Sequence, residues 1–380
     1  MCATERPSAG MLEGPHGAVH LVCPERLGAV NREQERVDDR RQVSGGDGFV
    51  KGRDGGPVRK ARVIIVGVGD EQQMLARVLA NGAPPEYRLF AFVDDGVSRR
   101  PKGLGGEVIG AAEDLYSIAS RAGAKYVAVP DVPLPKHLWH ETLRCASAGI
   151  RVERVVDLYT RLTGRVPLDA FSSNWPTRDV PRVLGWLHET AIRALDVLVG
   201  TVGLALMACF LPLLALAIKM ESPGPIFYLQ ERVGRHGRVF RMWKFRTMRK
   251  DAEASGPQWA EDNDPRVTRL GRILRRMRID EMPQFINVLK GDMSIVGPRP
   301  ERPEFVAVFR SVSPAYDLRH AVRPGLTGWA QVERSYASSV EDGIEKLEYD
   351  LYYLSRRSLW LNLFIMAQTP AVLISGRGAR

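Results

Sequence analysis

A chain of 380 residues with 44% apolar composition has room for two ordinary domains, each with its own core, which excludes a disordered chain. Lys and Arg number 54 against 44 acids, a formal +10, so an anionic partner is expected: nucleic acid, a phosphate-bearing substrate or a lipid headgroup surface. The cysteines, Cys2, Cys23, Cys145 and Cys209, form no Cys-x-x-Cys pair, which argues against a disulfide framework or a zinc site and fits a reducing cytoplasm.

Residues 1–60 hold no apolar run of signal-peptide length and are rich in Gly, Arg and acids, which predicts a disordered tail on the cytoplasmic side. From 61 to 155 the chain alternates β-branched runs with helical patterns: ARVIIVGVGD, EQQMLARVLANG, YRLFAFVDDG, LYSIASRAG, KYVAVPDVP. Strand, helix, strand, helix, strand predicts a parallel, Rossmann-like α/β domain of the CoA-binding kind. Its Gly67-x-Gly69 turn lacks the third glycine of a dinucleotide fingerprint, because position 72 is Gln72. A structural or regulatory module is therefore expected rather than a working cofactor site. Asp94 and Asp95 close the second strand as ribose ligands or as turn residues.

A linker over 156–190 leads to 22 uncharged residues, 197–218, long enough to cross a hydrocarbon core. Two features argue against simple spanning. Pro212 removes a backbone bond inside the run, and basic residues flank both ends, Arg182 and Arg193 before, Lys219 and Arg232 after. A helix over 192–220, broken at Pro212 and re-entering the same leaflet, keeps the upstream domain in the cytoplasm.

Beyond it the charge concentrates: residues 238–278 hold twelve Lys and Arg against five acids. VFRMWKFRTMRK interleaves cations with aromatic side chains, which suits a lipid headgroup plane better than nucleic acid beside so apolar a segment. DPRVTRLGRILRRMR predicts a helix with Asp264 as cap, Pro265 in the first turn, and Val267, Leu270, Ile273, Leu274 and Met277 on one face. IDEMPQFINVLKG predicts a second helix with Asp280 near its N-cap. A helix N-terminus with Arg275, Arg276 and Arg278 nearby should keep Asp280 and Glu281 both ionised. Ionised carboxylates among cations serve as a nucleophile toward phosphorus or as ligands for a hard divalent ion; plain capping satisfies the same local pattern. In GDMSIVGPRPE, Pro298 and Pro300 fix the backbone around Arg299, whose planar fork suits phosphate.

KFRTM (244–248), DEMPQFINVLKGDMSIVGPRP (280–300), RPGLTGWAQV (323–332) and YDLYYL (349–354), in this order after a proline-bearing helix, resemble the bacterial sugar transferases, the monotopic polyprenyl-phosphate phosphoglycosyl transferases, over about 191–380. The upstream α/β domain resembles that of the family's larger members, whose N-terminal transmembrane helices have no counterpart here. Where the family often has Ser-Pro at the helix break, this chain has Leu211-Pro212. The resemblance implies a mostly helical transferase domain on the cytoplasmic face of a bacterial inner membrane. It implies transfer of a sugar-1-phosphate from a UDP-sugar to polyprenyl phosphate at the start of exopolysaccharide or other surface glycan synthesis. Asp280 would be the nucleophile and Glu281 the Mg2+ ligand; Arg299 would clamp phosphate, with Arg323, Lys244 and Arg246 in support and Asp350 near the site. Lys244 and Arg246 serve equally as headgroup contacts.

The tail RRSLWLNLFIMAQTPAVLI, interrupted by Asn362, Gln368 and Pro370, predicts an interfacial helix. Two other functions are compatible with parts of the chain: a nucleotide-dependent oxidoreductase or epimerase on the α/β half, which Gln72 opposes, and a non-catalytic membrane scaffold in which Asp280 caps a helix. The partners expected are the UDP-sugar, polyprenyl phosphate and membrane lipids, with no nucleic acid; homo-oligomerisation stays open.

Overall fold

The run 63–66 is buried on both faces, as the central strand of a parallel sheet must be. The computed structural model describes residues 49–51, 57–81, 84–94, 106–168, 186–249, 252, 264–334 and 339–374. Most of the tail expected over 1–60, Asp95, Arg182 and residues 169–185 of the expected linker lie outside the described residues. Strands β1 (Ala61–Val66), β2 (Tyr87–Val93), β3 (Tyr126–Val129) and β4 (Arg151–Arg154) pair in parallel in the order β2-β1-β3-β4. Parallel neighbours need crossovers, and here they cover both faces. Helices α2 (Leu115–Ala122) and α3 (Lys136–Ser147) bury Leu115, Ile118 and Leu138 on one side. Helices α1 (Asp70–Ala80) and α4 (Val155–Thr163) bury Leu75, Leu158 and Tyr159 on the other. Helix α4 thus belongs to the sheet layer, although it falls where the linker is expected. Gln72 is buried, its side chain lying over the Gly67–Gly69 turn, where a Cβ on Gly69 would meet its Oε1 at 2.8 Å.

Helix α5 (Trp186–Glu221) runs unbroken for 36 residues, so Pro212 does not end it, contrary to the expected break. Proline leaves one carbonyl unpaired and can bend a helix, but an apolar helix with neighbouring support carries it without interruption. It is the one described helix long and apolar enough to cross a membrane by length and composition. One stripe, Ile192, Asp196, Gly200, Gly203, Met207 and Ile218, is buried against the protein. The other, Leu198, Val202, Leu206, Phe210, Leu213, Leu216 and Met220, is exposed. Both stripes repeat at helical spacing, so α5 lies along the protein with an apolar flank uncovered. Near its start Arg193 donates to the carbonyls of Val288 and Leu289, and Asp196 accepts from Ser294 Oγ and Ile295 N, both at 2.8 Å. At its end Arg246 donates to the Ser222 and Pro223 carbonyls, and Glu221 accepts from Leu270 N.

After α5, strands β5 (Phe227–Val233) and β6 (Val239–Phe245) form an antiparallel hairpin. Helices α6 (Arg269–Arg276) and α7 (Gln284–Lys290) follow, and β7 (Ser294–Val296) pairs in parallel with β8 (Gly325–Thr327). Helices α8 (Pro303–Val312), α9 (Trp329–Glu333), α10 (Val340–Arg356) and α11 (Leu359–Ile374) complete the mostly helical part. The cap of α6 is Thr268, whose Oγ1 accepts from Gly271 N at 3.0 Å; Asp264 pairs with Arg266 instead. Of the expected face, Val267 before α6 and Leu274 on it turn inward, but Ile273 and Met277 are exposed. The two layers meet along a shared apolar cluster in which Val156 and Val166 pack with Phe309, Tyr316, Leu347 and Leu351. Trp329 Nε1 donates to the Gly164 carbonyl at 2.7 Å, and Val166 N to that of Glu348.

The seat of α5 on α7 depends on small residues: a Cβ on Gly203 would stand 2.5 Å from the Phe285 ring. Gly203→Leu should lift α5 from α7 at a cost of about 1–3 kcal/mol, read as a lowered unfolding midpoint in detergent micelles; an unchanged midpoint would contradict this packing.

Candidate active site

Pro283 ends any α-helical reading of the segment before it, since it lacks the N–H that a continuing helix needs. The dyad accordingly occupies a separate 3-10 turn, Ile279–Glu281, and α7 begins after Pro283. No side chain caps either element, so Asp280 is not a helix cap. The turn is entered through Arg278, held at φ 59°, a left-handed conformation that a non-glycine residue adopts at a cost of about 1–2 kcal/mol. That cost is repaid locally: Arg278 Nη1 reaches Glu281 Oε1 at 3.3 Å.

Asp280 and Glu281 are both buried. Arg299 grips Glu281 with both arms, Nη2 to Oε1 at 2.5 Å and Nη1 to Oε2 at 3.2 Å. Burial alone would raise the Glu281 pKa, but Arg299, Lys244 and Arg278 outweigh it and hold this carboxyl well below the usual range. Asp280 receives no such grip, and its Oδ1 makes no hydrogen bond among the described residues. Burial, then the Glu281 charge, pushes its pKa up to about 6, against the pull of Lys244, Arg275 and Arg278. Both carboxylates are still mainly ionised at neutral pH, as expected, but Asp280 holds its charge less firmly than the sequence suggested. Lys244, on β6, is half-buried, and desolvation pulls its pKa down to about 8 despite the neighbouring Glu281.

The turn that aims Arg299 is pinned on several sides. Gly297 N donates to Thr327 O, and Gly325 N to Pro298 O, both at 2.9 Å. The backbones approach so closely that a Cβ on Gly325 would stand 2.1 Å from Gly297 N. Arg232 Nη1 donates to Pro300 O at 3.1 Å and Arg319 Nη2 to Arg299 O at 2.8 Å. Arg319 is held by Tyr316 Oη at 2.5 Å and by Asp350 at 2.7 Å.

The structure therefore brings together Asp280, Glu281, Arg299 and Lys244, and separates the other expected residues from the dyad. Arg246 is buried under the end of α5, donating to carbonyls there. Arg323 donates to the Gly291 carbonyl and approaches Glu189 at 3.9 Å. Asp350 acts through Arg319 and then Arg299, three contacts from the dyad. Arg232 and Arg319 were not anticipated as site residues. Arg232 reads in sequence only as a flank of the apolar helix, and no local signal marks Arg319.

Among the described residues no group of three or more His, Cys, Asp or Glu side chains could hold a metal. A hard ion that takes one or two protein carboxylates and completes its shell with substrate phosphates still fits this donor set. Glu281 Oε2 keeps a lone pair beyond its bond to Arg299, and Asp280 Oδ1 is unpartnered.

A buried carboxylate with an unpartnered oxygen, among cations, defines a site suited to handling anions. The chain belongs to the bacterial sugar transferase family, whose model matches residues 187–376. It is 44% identical over 243 residues to a UDP-N-acetylgalactosamine-undecaprenyl-phosphate N-acetylgalactosaminephosphotransferase of Aeromonas hydrophila, covering 64% of this chain and 57% of that one. It is 41% identical over 196 residues to the UDP-glucose:undecaprenyl-phosphate glucose-1-phosphate transferase of Escherichia coli strain K12, covering 51% of this chain and 42% of that one. An exopolysaccharide production protein PSS of Rhizobium leguminosarum bv. phaseoli is 39% identical over 193 residues, 49% of this chain and 96% of that one. The chain thus spans about half the length of the first two relatives.

Asp280→Asn should stabilise the fold by on the order of 2 kcal/mol at neutral pH, because a carboxyl whose pKa rises to about 6 on folding destabilises the protein wherever it is ionised. Asp350→Asn should destabilise it by about 3–5 kcal/mol by leaving Arg319 uncompensated. Denaturant unfolding of the two variants checks both signs.

Proposed function

We propose that the protein transfers a sugar-1-phosphate from a UDP-sugar to polyprenyl phosphate, beginning the assembly of an exopolysaccharide or another surface glycan. The observation that carries this reading is the buried, unpartnered Asp280 Oδ1 beside a Glu281 clamped by Arg299. In the first step Oδ1 attacks the β-phosphorus of the nucleotide sugar. The bond from that phosphorus to the oxygen bridging it to the α-phosphate breaks, and UMP leaves with the electron pair. In the second step an oxygen of polyprenyl phosphate attacks the same phosphorus, and the aspartyl oxygen departs as carboxylate, yielding a polyprenyl diphosphate sugar.

Attack of one anion on another is slow unless the surroundings neutralise the charge. Lys244 and Arg299 would face the phosphate oxygens, while Arg278 and Arg299 keep Glu281 ionised and oriented. Mg2+ would be held by Glu281 together with the diphosphate oxygens, and would supply Lewis-acid stabilisation of the charge on them.

The protein would be seated in the cytoplasmic leaflet of the inner membrane. Both ends of α5 are tied to the same folded unit, by Arg193 and Asp196 at the start and by Arg246 and Glu221 at the end. A helix crossing to the far side would pull one set of these bonds apart. The helix would instead lie in one leaflet, along the protein, with its apolar stripe in the acyl chains.

Purified protein with a UDP-sugar, Mg2+ and polyprenyl phosphate should release UMP and carry a trappable phosphosugar adduct. Asp280→Asn should lose both, by about 10³-fold or more in rate; turnover near wild type would refute the covalent step. The rate should follow a bell in pH. It rises as Asp280 deprotonates through about 6 and falls as Lys244 loses its proton above about 8. Cysteines placed at Leu187 and Arg238, in a background without native cysteines, should resist an impermeant reagent in intact cells and react after permeabilisation. Labelling of one site alone in intact cells would mean that α5 crosses.

A further inference from the structure

Where the α/β layer meets the C-terminal helices, a cleft of about 220 Å³ opens between Arg161 of α4 and Arg356, Ser358, Trp360 and Phe364 of the α10–α11 corner. It shares no lining residue with the dyad site. Its two cations are set differently. Arg161 is locked in place: Nη1 donates to Tyr87 Oη and Nη2 to Glu153, each at 2.9 Å, and its guanidinium lies 5.0 Å from the Tyr126 ring centre. Arg151, also over Tyr126, adds a further positive charge behind it. Arg356 is exposed and has no carboxylate partner among the described residues, and no carboxylate lines the cleft. Two guanidiniums therefore face the cavity, Arg161 paired with Glu153 outside the lining and Arg356 with no carboxylate partner among the described residues.

The opposite wall is apolar and uncovered. Trp360 is 79% exposed and Phe364 45%, both on the apolar helix α11, which also touches α5. Tryptophan beside arginine on an apolar helix is the pattern of a membrane interface, where the ring meets the acyl boundary and the cation meets phosphate. A ligand filling this cleft needs a negative charge for Arg161 and Arg356 and an apolar continuation along Trp360 and Phe364. We infer that the cleft binds the phosphodiester headgroup of an anionic bilayer phospholipid, its acyl chains running along α11. Because Arg161 belongs to the α/β layer and Arg356 to the transferase part, one bound lipid ties both to the membrane surface. The inference shares the membrane seating proposed above but not the transfer chemistry.

The test is thermal unfolding of the full chain in phospholipid-free detergent micelles, titrated with dihexanoyl phosphatidylglycerol, dihexanoyl phosphatidylcholine or inorganic phosphate. Phosphatidylglycerol should raise the midpoint saturably, phosphatidylcholine should not, and phosphate should act only at concentrations at least tenfold higher. Arg356→Gln, an exposed change that leaves the fold intact, should weaken the phosphatidylglycerol response at least fivefold. Trp360→Ala should weaken it without making phosphate alone less effective. An equal response of Arg356→Gln and wild type, or of the two lipids, would overturn the site, and phosphate matching phosphatidylglycerol would make it a simple anion site. UMP release by Arg356→Gln in the same micelles should match wild type. Failure of the transfer reaction in both proteins would thus count against the proposed chemistry and leave the lipid titration readable.

Discussion

Two adjacent carboxylates buried in one turn cannot both be kept charged cheaply, and much of the transferase part is arranged around that conflict. The solution is unequal. Glu281 takes both arms of Arg299 and the reach of Arg278, while Asp280 is left with an unpartnered oxygen. A fully paired carboxylate is a poor nucleophile, and a fully isolated one would be protonated. The engaged glutamate allows its neighbour to stay between these limits. The clamp in turn requires a fixed Arg299, which explains why Arg232, Arg319 and the β7–β8 contact all converge on one short turn. Asp350 exists in this chain of dependence to keep Arg319 charged and in position.

The apolar helix obeys a related constraint. It carries an aspartate and an arginine at its start, each costly in an apolar setting; the arginine and one oxygen of the aspartate are bonded to backbone and hydroxyl groups of the unit beneath. The polar groups that would oppose membrane burial are thus the ones that dock the helix. What remains uncovered between Val197 and Leu216 is apolar apart from Thr201.

The parallel α/β layer was legible because alternation of β-branched runs and amphipathic helices is a local signal. The nearness of the dyad to cations was legible from charge density, and the Gly-Pro-Arg-Pro turn from its two prolines. Which cations would face the dyad was not. Arg246 and Lys244 stand two residues apart at the end of one strand, so their side chains share a face in regular strand geometry. The chain leaves the strand at Phe245, and Arg246 turns back under α5. Asp264 does not cap α6 because the helix starts only at Arg269: its carboxylate takes the backbone N–H and the guanidinium of Arg266, and Thr268 caps instead. Pro212 was overread, because proline's cost is a local bond and α5 has support on both sides of it. Arg319 lies in a 3-10 segment without a motif, and only tertiary contact reveals it.

The seam between the two layers has a consequence for how the protein is made. Leu168 N bonds the Glu348 carboxylate across 180 residues of sequence, and Val156 and Val166 share their apolar cluster with α8 and α10. At a synthesis rate of about 5–20 residues per second, the α/β layer waits on the order of ten to forty seconds on the ribosome before α10 exists to cover that face. Early in that interval the apolar helix α5 emerges, and the residues that clamp Glu281 follow only after it. The nascent chain therefore presents two sticky surfaces at once, one meant for lipid and one meant for its own C-terminal helices, and early capture of α5 by the membrane keeps them apart until the seam can form.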